Sequence, residues 1–148
     1  MMVLLLRKLN TIKWTLLLLF QVNLSFSCTS PPADFTVRLA PDQVKTSVAY
    51  GSFLSDPKND LVLTKIQCEG YDFVEWHESK IDEKGIMRMN KKPYPLSLKK
   101  NTMYSFVSGG GHLMLMGKNR KISEGERLLL TLSFSGQVDR TIKAKVIK

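Results

Sequence analysis

The chain has 148 residues, 43% of them hydrophobic and 24% charged, which suits one ordinary globular domain. Lys and Arg number 22 against 13 Asp and Glu, a formal charge of +9, and two cysteines are too few for a disulfide-stapled scaffold.

Residues 1–27 read as an export signal. Arg7, Lys8 and Lys13 make a positive start. Thr15 to Phe20 give a short apolar core, extended by Val22, Leu24 and Phe26, and Ser25 and Ser27 supply the small residues a signal peptidase prefers just before Cys28. A membrane-spanning helix needs about 20 predominantly apolar residues, and Lys13, Gln21 and Asn23 interrupt this run. A cleaved signal is the better reading, with a retained anchor as its alternative. Cys28 divides three ways. It resembles the lipidated cysteine of a bacterial lipobox, although Phe26 stands where a small residue is usual; it pairs with Cys68 in an oxidising compartment; or it stays unmodified. Lipidation is preferred, with residues 28–34, which include Thr29-Ser30-Pro31-Pro32, as a short tether.

Without the signal, 19 of the 22 basic residues remain against 13 acidic ones, in a chain long enough to bury about two-thirds of its unfolded surface. In an exported protein that balance concerns an acidic protein partner or lipid headgroups rather than nucleic acid. The clusters Lys91-Lys92, Lys99-Lys100 and Lys118 to Lys121 read as turns kept soluble by charge.

Residues 35–148 are expected to form an all-β domain. Short runs of period-two alternation predict strands at Phe35 to Leu39, Val44 to Leu54, Leu61 to Cys68, Phe73 to Ser79 and Ile86 to Met89. Further strands follow at Leu96 to Leu98, Thr102 to Val107, His112 to Met116, Arg127 to Phe134 and Arg140 to Ile147. Turns rich in Gly, Pro, Asn, Asp and Lys separate them, and no segment carries the three-and-four apolar repeat of a helix. Leu128, Leu130, Leu132 and Phe134 share one face of their strand, with Leu129, Thr131 and Ser133 on the other. A Greek-key β-sandwich is the expected way to bury the first set.

Histidine and methionine cluster. The chain has two histidines, and Met87, Met89, Met114 and Met116 all fall between His77 and residue 116. In a strand, residues two apart share a face, so His112 and Met114 project together while Leu113 and Leu115 turn to the core. Met87 and Met89 likewise share a face, with Arg88 opposed. If the strands bearing His77, Met89 and His112 are neighbours, two nitrogens and two thioether sulfurs can meet. Hard ions bind thioethers poorly, and soft sulfur selects Cu(I). A thioether also survives an oxidising compartment in which a cysteine pair would be lost to a disulfide. Met103 and Met116 are assigned to packing, and Met87 divides evenly between packing and a reserve ligand.

These residues resemble the periplasmic PCu(A)C-type copper(I) chaperones, whose signature is a His, a Met about eleven positions on, and a later His-x-Met. The matching positions are His77, Met89, and His112 with Met114. The resemblance runs from about Ala40 to the C-terminus and includes Ala49-Tyr50, Glu75, Gly85 to Met89, Gly109-Gly110 and Leu113 to Gly117. It closes with Gly125 and Leu130-Thr131-Leu132-Ser133-Phe134. Met89 is preferred to Met87 because it aligns with the end of the family's Met-x-Met run. Ser108 replaces the usual Pro of the Pro-Gly-Gly turn, and Gly111 a bulky residue. The resemblance implies a cupredoxin-like sandwich, monomeric, that collects Cu(I) in the periplasm or cell envelope. It further implies delivery to the copper-centre subunit of cytochrome c oxidase, directly or through a thiol-bearing copper-transfer protein.

Three other readings are weaker. A blue-copper carrier needs a Cys thiolate beside two histidines, and Cys68 lies nine positions before His77 with no Cys near His112. A metal-free envelope interaction protein leaves the Met and His as packing. An enzyme lacks a Ser/His/Asp set, a framed nucleophilic Cys or a P-loop. Glu75, two before His77, is a candidate to orient that imidazole.

Overall fold

Alternation of apolar and polar residues commits nearly every segment to a strand with one buried face. The computed structural model describes residues 35–41 and 43–148; the expected export signal, the tether and Cys28 lie outside them. Ten strands form: β1 Phe35–Arg38, β2 Thr46–Leu54, β3 Leu61–Cys68, β4 Tyr71–Ile81, β5 Met87–Lys91, β6 Leu96–Leu98, β7 Met103–Phe106, β8 Gly111–Lys118, β9 Arg127–Phe134 and β10 Arg140–Ile147. Each expected run is a strand. The largest difference is in β4, two residues longer at each end than its alternation suggests. Tyr71 adds a buried side chain at the start, and Ile81 pairs with Met87 at the hairpin.

The strands follow the order β5-β4-β8-β2-β1-β10-β9-β3-β6, with β7 paired to β2 off this path. Along it, β4–β5, β1–β2 and β9–β10 are neighbours in sequence, while the other contacts require crossovers, as in Greek-key arrangements. The sheet folds back on itself. Trp76 of β4 and Leu96 and Leu98 of β6, near opposite ends of the path, line one cleft with Tyr104. Between the layers, Leu128, Leu130 and Leu132 are fully buried and Phe134 is nearly so, as expected for β9. They meet Phe35, Val37, Leu63, Leu113, Leu115 and Val146. Burying each such side chain contributes roughly 1.5–3 kcal/mol. Phe106 of β7 joins the layers, its ring 4.7 Å from Trp76 and 5.8 Å from Phe35.

Gly51 lets β2 change partner along its length. Up to Ala49 the strand pairs with β8; from Gly51 it pairs with β7. Gly51 has φ +154°, and a Cβ there would lie 2.6 Å from the Phe35 ring, so only glycine allows this approach. Met103 departs from its expected packing role. It is 55% exposed, because β7 pairs with β2 alone and Met103 sits at its end opposite Leu54.

Candidate metal centre

The outward face of β5, β4 and β8 gathers the singled-out residues. Val74 and Trp76 turn inward on β4, as do Leu113 and Leu115 on β8. Alternation therefore sends Glu75, His77, His112 and Met114 to the opposite face. Register does the rest. His77 pairs directly with His112, and Glu75 with Met114. The imidazole centroids are 5.8 Å apart, a spacing into which an ion bound at about 2 Å to one nitrogen of each ring fits. Met114 stands on the diagonal from His77, about 7–8 Å away on an ideal sheet.

Hydrogen bonds fix which nitrogens are free. His112 Nδ1 lies 3.2 Å from the carbonyl oxygen of Gly110, which can only accept, so Nδ1 carries the proton and Nε2 keeps the lone pair. His77 Nε2 lies 2.9 Å from Glu75 Oε2. Lys91, directly across from His77 on β5, bonds to the other carboxylate oxygen. Lys91 first and His77 second hold the Glu75 carboxyl below its usual range. An ionised carboxylate accepts, so His77 donates from Nε2 and presents Nδ1 as a lone pair. That Nδ1 is buried and has no hydrogen-bond partner. An orphaned buried acceptor is costly, and an ion between the rings would satisfy it.

Met89 shares this face but sits apart from the other three. It pairs with Ser79, two positions beyond His77 and on the side away from Glu75. Two strand spacings and four residues of rise put its Cα about 16 Å from that of Met114. Met87 lies farther out, opposite Ile81. Both methionines are more than half exposed on β5, whose residues are exposed throughout. His77, His112 and Met114 are thus together, and Met89 is at the margin. Sequence reasoning missed Lys91 and the Gly110 carbonyl. The alternation of β5 could have flagged Lys91, but its register could not.

Among the described residues no three His, Cys, Asp or Glu side chains are grouped as metal ligands. Cys68 is a buried free thiol 4% exposed, and burial pushes its pKa up to about 12. That environment is the reverse of what a thiolate ligand needs. Its alternative pairing with Cys28 involves a residue outside those described. Among the described residues, no helix is long and apolar enough to cross a membrane.

The fold is cupredoxin-like, with the architecture of PCuAC domains. A copper-bound PCuAC domain from PmoF2 superposes with a TM-score of 0.61 at 16% identity, over 77% of this chain and 88% of that one. The Cu(I) form of DR1885 from Deinococcus radiodurans does so with a TM-score of 0.59 at 19% identity, over 82% of each chain. Residues 33–146 match the family described as "Putative lipoprotein LpqE-like", and the chain belongs to that family. Protein RP573 of Rickettsia prowazekii (strain Madrid E) is 23% identical over 104 residues, 70% of this chain. The match spans 57% of the length of RP573.

Proposed function

We propose that this protein is an extracytoplasmic Cu(I)-binding chaperone that carries copper towards assembly of a cytochrome c oxidase copper centre. The observation that carries the reading is the His77–His112 pair. Each ring is tethered through one nitrogen and offers the other, and the offered Nδ1 of His77 is buried without a partner. Met114 brings a soft thioether beside them, and soft sulfur with imidazole selects Cu(I) over hard ions and over Zn²⁺. Met89 supplies a fourth donor when the β4–β5 hairpin bends inward. The strand that bears it is bonded on one side alone.

The role is capture and transfer rather than catalysis. Neutral donors on an outward sheet face can be exchanged one at a time with an incoming site, either that of the oxidase subunit or that of a thiol-bearing transfer protein. The copper in the titles of the PmoF2 and DR1885 structures supports the cargo. The lipoprotein description of the family supports an envelope location with Cys28 as anchor and residues 1–27 as the removed signal.

Competition for Cu(I) tests the reading. Residues 28–148, titrated against a chromophoric Cu(I) chelator, are expected to take one ion. His77→Ala, His112→Ala and Met114→Leu are each expected to lower the affinity by about tenfold or more. Retention unchanged by all three, and by Met89→Leu, rejects it.

A further inference from the structure

The outward face of the other layer carries a second feature. Lys143 and Lys145 on β10, Arg127 on β9 and Lys65 on β3 are all exposed. Lys145 is paired with Thr36 on one side and Arg127 on the other; Lys143 stands opposite Leu129, and Lys65 opposite Ser133. None of the four cations forms an ion pair among the described residues. Around the histidine pair the pattern is the reverse, with Lys80, Arg88, Lys91 and Lys92 each matched to a carboxylate. Acids near the basic face have partners other than these cations. Arg120 holds both Glu69 and Glu126, and Asp139 accepts from Ser133. These cations lie within strands, not in the turns where solubility alone would place them. Like charges directly opposite each other destabilise a sheet, and Lys145 faces Arg127 with no anion between them.

We infer that this face rests on an anionic phospholipid membrane surface. A membrane is the partner whose shape fits, because the charges are spread over a broad sheet face whose strands are about 4.8 Å apart. Leu129 and Val62, 44% and 40% exposed on the same face, suit the boundary between headgroups and acyl chains. The described domain also begins beside this face, since β1 pairs with β10. The seven residues from Cys28 to Asp34 span at most about 25 Å, so a lipid on Cys28 keeps β1 close to the bilayer. Lys and Arg at a membrane surface act within about a Debye length, a distance that a sheet lying against the headgroups satisfies. The layer bearing His77 and His112 then faces water, open to partners.

Vesicle sedimentation of the full chain tests this, using phosphatidylcholine alone and phosphatidylcholine mixed with phosphatidylglycerol. Comparing the two isolates the electrostatic part from any insertion of the apolar N-terminus. The mixed vesicles are expected to raise the bound fraction, and added salt to remove the gain. R127E/K143E/K145E is expected to lower the partition constant on mixed vesicles by about tenfold or more, with R127Q/K143Q/K145Q intermediate. Circular dichroism on both variants checks that the fold is kept. No gain from the anionic lipid overturns the proposal and leaves the face to an acidic protein; an undiminished gain in the Glu variant overturns it as well.

Discussion

His77 is held by a short chain of contacts, from Lys91 through Glu75 to Nε2. An imidazole oriented by a carboxylate keeps one tautomer and a more basic free nitrogen. Glu75→Gln should therefore lower Cu(I) affinity by about tenfold or more even though Glu75 is not itself a donor. Chelator competition measures this, and an unchanged affinity would remove Glu75 from the site. Met114→Leu should cost more than Met89→Leu, because Met114 sits one diagonal step from His77 and beside His112, whereas Met89 must be brought in. The His112-x-Met114 unit was legible in the sequence since period two alone puts both residues on one face. The pairing of His77 with His112 was not. It depends on which residues of β4 and β8 come opposite each other, and no local pattern encodes that over a separation of 35 positions.

At the level of strands, turn chemistry sets positions that propensity leaves open. The Asp82 carboxylate accepts from the backbone N–H groups of Lys84 and Ile86 at 3.0 and 2.9 Å and pairs with Arg88. This closes the β4–β5 turn and fixes which residue of β5 lies across from His77, namely Lys91 rather than a methionine. The same strand was readable from its alternation, but its register depends on this turn. Gly51 offers a second test. Gly51→Ala would place a methyl group 2.6 Å from the Phe35 ring and 2.9 Å from the Phe35 Cα. Backbone cannot yield as a flexible side chain can, so a loss of about 2–4 kcal/mol is expected. It would appear as a lower urea midpoint with little change in slope. A variant as stable as the parent would show that β2 tolerates a different path.

Across the whole domain, stability should fall in acid. Asp56 and Asp82 are held below their ordinary pKa chiefly by backbone N–H donors, Asp60 by Lys100 N–H and Lys99, and Glu126 by Arg120. A depressed folded-state pKa means the unfolded chain binds the proton more readily. The stabilisation is thus fully present above the unfolded values of 3.8 and 4.5 and is lost as pH falls through the lower folded ones. Thermal midpoints measured from neutrality downward should hold until about pH 4.5 and then decline; a midpoint insensitive to acid would contradict this. The β-sandwich itself was legible because inward residues such as Leu128, Leu130 and Leu132 declare their face. The order in which the strands join was not, since crossovers are settled by the packing of both layers at once.

Cys68 is packed inward, so its sulfur reaches solvent only when the domain opens. In a Cys28→Ser background, the rate at which a thiol-reactive dye labels the chain should follow global opening, as with the most protected amides. Oxidative crosslinking of two chains through this thiol is closed off for the same reason. One inward cysteine thus serves as a built-in clock for unfolding.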